Sequence, residues 1–151
     1  MDSREKTHAI QKILATFERK NIDWFVSKLP VGDYMSLDNP RLVIDRKRNL
    51  TELCGNVCQQ LPRFRAELIR ANECGIKLII LCEHGQNIKQ LSDVIKWNNP
   101  RLKQSPLALS GERLYKKLRA LSDKYNVNIV FCNKNETGNK ILELLNVKGI
   151  S

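Results

Sequence analysis

VGDYMSLDNPRLVIDRK, residues 31–47, decides how this chain is read. GDYMSL (32–37) and RLVIDRK (41–47) are two short runs with strand character, joined by the turn formers Asp38, Asn39 and Pro40, so a β-hairpin is expected. Asp33 opens the first strand, and Asp45-Arg46-Lys47 closes the second. Across a hairpin these ends meet, which brings two carboxylates and an ammonium to one edge of a sheet. Asp45 and Lys47 are two residues apart, so both side chains point to the same face. Two clustered carboxylates repel each other unless a cation lies between them, and oxygen ligands of this kind suit Mg²⁺. Such a metal polarises a phosphate and acidifies a bound water, while Lys47 orients that water or neutralises charge developing on the phosphate. Taken alone, D-x(11)-D-x-K is a weak signature, and a surface ion pair between Asp45 and Lys47 accounts for it equally well.

The flanking sequence supplies the remaining layers. Residues 4–20 carry Ile10, Ile13, Leu14 and Phe17 at helical spacing, with Asp2 or Ser3 available as a cap and Asn21 as the stop. IDWFVSKL (22–29) reads as a strand. Two helices are expected over 49–60 and 63–73, separated near Pro62, with Gly75 ending the second. IKLIILC (76–82) is the most apolar segment and reads as a central strand. A helix over 86–97, a loop over 98–106, a long basic helix over 111–124, a buried strand over 127–132 and a last helix over 137–145 complete the chain. The order α-β-β-β-α-α-β-α-α-β-α describes an α/β domain, a mixed sheet covered by helices on both faces. With 151 residues and no repeat or linker, a single domain over 1–151 is expected.

Charge points to the partner. Lys and Arg number 26 against 16 Asp and Glu, a net +10, which concentrates polyanions at the surface; the bland alternative is a solvated basic surface. Residues 85–119 hold Lys89, Lys96, Arg101, Lys103, Arg113, Lys116, Lys117 and Arg119 against only Asp93 and Glu112. Lys103, Lys116 and Lys117 are the expected phosphate contacts, and Trp97 in the same run either stacks on an unpaired base or packs in the core. MDSREKTHAI has no apolar signal core, and no stretch reaches the ~18 apolar residues of a membrane span, so no membrane partner is expected. Five cysteines, an odd number, read as reduced thiols of a cytoplasmic protein, and their spacing to His8 and His84 does not suit zinc.

Several blocks then agree in order with one family. DSREK (2–6), VGDY (31–34), IDRKRNLTEL (44–53), RFRAE (63–67), LIILCE (78–83) and ETGNKILELL (136–145) resemble the nuclease domain of the XPF family, a branch of the PD-(D/E)xK nucleases. The resemblance spans nearly the whole chain. It implies a restriction-endonuclease-like fold and a Mg²⁺-dependent DNA endonuclease that hydrolyses phosphodiesters, with Mn²⁺ able to substitute. On this basis Asp33 and Asp45 are metal ligands and Lys47 serves the water or transition state. Arg46 holds the centre or a phosphate, and Asp2 and Arg4 approach the same centre. Arg63 orders the site from the second helix and counts among the DNA-facing residues.

The departures are also specific. Asp45 stands where the family usually has Glu. Glu52 comes one residue after the position of the family's helix acid, occupied here by Thr51, a rotation of ~100° that leaves Glu52 open as a third metal ligand. Glu67 stands where Gln is frequent, either as a further carboxylate or as a partner of Arg63, and Glu83 supports the site or is simply exposed. The tandem helix-hairpin-helix domain of eukaryotic and archaeal relatives has no counterpart before Ser151, so a preference for branched or junction DNA is left open. The compact size resembles bacterial or phage-borne members, and the relatives' dimerisation leaves a homodimer open. A catalytically degraded nuclease fold acting as a nucleic-acid-binding module is the alternative, and an RNA-acting protein rests on charge alone.

Overall fold

A computed structural model describes residues 1–2, 10–85 and 87–148. The expected sheet is there: β1 (Tyr34–Ser36), β2 (Asn39–Lys47), β3 (Lys77–Glu83) and β4 (Asn128–Cys132) lie in the order β1-β2-β3-β4. β1 runs antiparallel to β2, while β2, β3 and β4 are parallel, so the sheet is mixed. Strand alternation splits the core into two. Val43, Leu78, Ile80 and Phe131 face one layer; Ile44, Ile79, Leu81 and Cys132 face the other.

Helices cover both faces, as read from the sequence. α2 (Leu50–Val57), α3 (Leu61–Glu73) and α4 (Gly111–Tyr125) bury Leu53, Phe64, Leu68, Leu114 and Leu118 on the first layer. α1 (Gln11–Arg19) and α5 (Thr137–Leu144) bury Ile13, Phe17 and Ile141 on the second. Each connection between parallel strands is a helical crossover, which is what parallel pairing requires. Helix ends are sharply defined: Asn21 and Gly75 adopt positive φ (56° and 69°), and Ile22 N–H and Ile76 N–H bond back to Phe17 and Ala71 carbonyls. This left-handed closure satisfies carbonyls that the helix leaves unpaired.

Three expectations are corrected. Residues 22–29 do not form a strand; among the described residues the pairing there is an isolated bridge between Asp2 and Ser27. Trp24, Phe25 and Val26 stay exposed, so among the described residues the β-forming composition finds neither a strand to pair with nor a core to pack on. The hairpin turn is tighter than expected, at residues 37–38, and Asn39 and Pro40 already belong to β2. Of the helix expected over 86–97, Gln86 lies outside the described residues and 87–97 are helical only as a 3-10 turn over Leu91–Lys96, opened by a reciprocal Gln90–Asp93 cap; a second 3-10 turn, Pro100–Lys103, interrupts the expected loop. Among the described residues no helix is long and apolar enough to cross a membrane, and all five cysteines are free thiols.

Candidate active site

The site lies at the carboxyl ends of the parallel strands β2 and β3, where crevices of open α/β sheets form. The approach to β1 is built around Gly32. Its φ is +69°, and a Cβ there would stand 2.5 Å from Val43 Cγ1 and 3.1 Å from the Ile44 carbonyl, so only glycine fits. Asp33 follows, clamped by its backbone: its N–H donates to Ile44 O (2.8 Å) and its carbonyl accepts from Asp2 N–H (2.6 Å). The Asp33 carboxylate reaches across the hairpin and accepts Arg46 N–H through Oδ2 at 2.7 Å. Tyr34, the next residue, pairs with Ile44 across the hairpin, and the Asp33 carboxyl acts on Asp45.

Asp45 is 5% exposed. Its Oδ2 lies 3.2 Å from Lys47 Nζ in a buried ion pair, and the Asp33 carboxyl stands against it. Burial raises the Asp45 carboxyl to about 7; Lys47 opposes the rise, and the charge of Asp33 adds to it. Lys47 behaves oppositely. Burial works against its ammonium, but Asp45 and then Glu67 outweigh that and carry its pKa above the ordinary value. The ammonium also stands over the Phe64 ring, 5.5 Å from its centroid, a contact worth more when shielded from water. Lys47 is therefore a charged lysine in a nearly closed site, beside a carboxylate that burial disfavours.

The other residues singled out from the sequence are distributed as follows. Asp2 is fully buried, and its Oδ2 accepts the Leu29 N–H at 2.8 Å, so its side chain fastens the segment leading to Gly32 while its backbone holds Asp33. Arg4 lies outside the described residues. Arg46 points to the opposite face from Asp45 and Lys47, where its guanidinium pairs with buried Glu83. Glu83 is thus neither exposed nor part of the carboxylate pair.

Glu52 caps the Arg48 N–H and pairs with Arg48 Nε at 2.9 Å, while its charge still acts on Lys47. Among the described residues no three His, Cys, Asp or Glu side chains form a group able to hold a metal, so the structure brings together two carboxylates, Asp33 and Asp45. Arg63 is exposed on the first turn of α3, one turn ahead of Glu67. Lys103, Lys116 and Lys117 are exposed, and Trp97 is half-buried against the first core layer.

Sequence reasoning missed one support, Phe64, which gives Lys47 its aromatic floor. Glu67, singled out as a further carboxylate or a partner of Arg63, accepts Gly32 N–H through Oε1 at 3.3 Å and its charge acts on Lys47. Both sit on α3 at i and i+3, on one flank of the helix, a spacing that could have flagged Phe64 beside Glu67.

A mixed sheet with helices on both faces, carrying at its strand ends an Asp-x-Lys pair beside a second Asp, defines a restriction-endonuclease-like protein. The chain matches the family model of the ERCC4 domain over residues 1–144, and it belongs to that family, one of nuclease domains that are in general DNA endonucleases and generally depend on a divalent metal. Among curated proteins no match was found.

Proposed function

We propose that this protein is a Mg²⁺-dependent endodeoxyribonuclease whose active site is Asp33, Asp45 and Lys47. The observation that carries the reading is Asp45: a carboxylate buried against a second acid, Asp33, with Lys47 as its counter-charge and a charge that burial disfavours. A carboxylate pair of this kind is costly unless a cation completes it. Asp33 and Asp45 would hold Mg²⁺, or Mn²⁺ in its place, and Glu52 is a further carboxylate whose charge is felt at Lys47. When bound, the cation supplies charge on the phosphate and a more acidic water.

The chain's own residues do the rest. Lys47, kept protonated by Asp45 and Glu67, presents an ammonium to the attacking water or to the phosphate as charge builds on it. Asp2 and Glu67 hold the backbone around Asp33 from two sides, which fixes the spacing of the acids. DNA would approach across Lys103, Lys116 and Lys117, with Arg63 exposed on α3. Lys116 and Lys117 lie on α4 and Arg63 on α3, helices that pack on the sheet face to which Asp45 and Lys47 point, while Lys103 lies on the 3-10 turn Pro100–Lys103.

One observation favours a second reading, a binding module on the same fold. Glu52, the candidate third acid, is engaged by Arg48. A single panel separates the two: duplex, single-stranded, flap and four-way-junction DNA with matched RNA, each with Mg²⁺, Mn²⁺ or EDTA. Cutting of DNA that EDTA abolishes supports the nuclease; binding without cutting in Mn²⁺ supports the module.

A further inference from the structure

Hydrolysis needs an acceptor for the proton of the attacking water, and the residues placed so far do not supply one. Lys47 is held in its charged form by Asp45 and then Glu67, so its nitrogen has no lone pair to offer. Asp33 and Asp45 are taken up by the cation. A base must therefore come from another element that reaches the same face of the sheet at the same strand ends.

The register of β2 on β3 finds one. Asp45 lies beside Ile80 and Lys47 beside Cys82, and Leu78, Ile80 and Cys82 are buried in the first core layer. The residues between them face the other way: Ile79 and Leu81 lie in the second layer, and Glu83 meets Arg46 there. His84 is the next residue of the Ile80–Cys82 series. Its N–H donates to the Cys132 carbonyl at 2.8 Å, so the backbone is still laddered to β4, and the alternation carries the imidazole to the side of Lys47. With parallel strands about 4.8 Å apart and two residues rising about 6.6 Å, the Cα atoms of Lys47 and His84 lie roughly 8 Å apart. From such positions the two side chains can both reach a water or phosphate between them, directly or through one further water.

The imidazole has the chemistry for the task. His84 is half-buried, yet among the described residues its ring makes no hydrogen bond or ion pair. Burial lowers its pKa from 6.5. The charged residues of the flanking elements, Arg48 and Glu52 after β2, Lys134 after β4 and Asp93 on the first 3-10 turn, add nothing to that shift. The ring is thus neutral at neutral pH, with a lone pair on one nitrogen.

We propose that His84 is the general base of this site and takes a proton from the water that attacks the scissile phosphate. As the water oxygen bonds to phosphorus, its proton passes to the imidazole, the ester P–O bond breaks, and the leaving alkoxide takes a proton from solvent. The half-buried ring then returns its own proton to solvent. Lys47 is left to face the charge that builds on the phosphate.

This inference rests on the nuclease reading, and the experiment keeps the two apart. Single-turnover cleavage in Mn²⁺ is measured for wild type, His84→Ala, His84→Gln and Lys47→Ala, each with and without added imidazole, and DNA affinity is read by fluorescence anisotropy in EDTA. His84→Ala should cut on the order of a hundredfold more slowly, the scale of general-base catalysis, and bind DNA as wild type does. Gln offers a donor and an acceptor but takes no proton, so His84→Gln should be as slow, and it keeps the test alive should His84→Ala fail to fold. Added imidazole should restore part of the rate of His84→Ala and leave wild type and Lys47→Ala unmoved. Cleavage by His84→Gln at the wild-type rate, or a slow His84→Ala that imidazole does not speed, overturns the base and leaves the nuclease standing. No cutting at all by wild type overturns both.

Discussion

Replacing Asp45 by Asn should stabilise the metal-free protein at alkaline pH, and the gain should fade on acidification. Burial, opposed by Lys47 and reinforced by Asp33, moves the Asp45 carboxyl from 3.8 to about 7. A carboxyl raised in this way holds its proton more tightly when folded than when unfolded. Its contribution is therefore fully favourable below the unfolded value of 3.8 and is lost as pH rises through about 7. A shift of about three units is worth about 4 kcal/mol as an upper bound, and Asn, which mimics the neutral acid, avoids that loss. For a domain of this size the corresponding gain in melting temperature is up to roughly 10 °C. Thermal melts of both proteins in EDTA should show the full gap at about pH 8.5 and less than half of it at about pH 5. Mn²⁺ should then raise wild type more than the Asn variant, by about 2.7 kcal/mol at a hundredfold excess over Kd. A gap of equal size at both pH values, or an Asn variant that melts below wild type at alkaline pH, would refute the argument.

Three further outcomes follow from the site. Lys47→Ala should cut DNA at least about a hundredfold more slowly while binding it nearly as well, as read by single-turnover cleavage and fluorescence anisotropy. Replacing Lys103, Lys116 and Lys117 together by Ala should flatten the dependence of log K on log salt by up to about 0.9 per lost phosphate contact, and an unchanged slope would put DNA on another face. Gly32→Ala drives a Cβ into Val43 and keeps a positive φ, so it should cost about 1–3 kcal/mol in thermal melts and lose more activity than stability, because Asp33 is the next residue.

The hairpin was legible because two signals coincide there, strand runs on either side of turn formers and acids at both strand ends. β3 was legible as the most apolar run of the chain, broken only by Lys77, and α4 through its helical period. The segment 22–29 was not, since Trp24-Phe25-Val26 has strand composition and the absence of a neighbouring strand is a tertiary fact. Pro40 suggested a turn but is the second residue of β2, near the strand's start, a position where its missing N–H costs little. Within the site, spacing placed Asp45 and Lys47 on one face. It also put Arg46 on the other, yet only the register of β2 on β3 reveals that Glu83 waits for it there. The depth at which Asp45 lies, from which the metal argument grows, depends on α3 closing over Lys47 with Phe64 and is invisible in the motif.

The hairpin also sets an order of assembly. Asp33 meets Arg46 across 13 residues of chain, whereas β2 joins β3 across 35 and β3 joins β4 across 49. Short loops close quickly, and long-range parallel pairing comes later at a greater entropic cost. The two acids therefore come together while water still surrounds them and screens their repulsion. The penalty would arrive only when α3 and β3 close over the hairpin. A divalent cation caught between the acids before that moment removes the penalty from the closing step, so the ion proposed for catalysis would also govern how readily newly made chains complete their sheet.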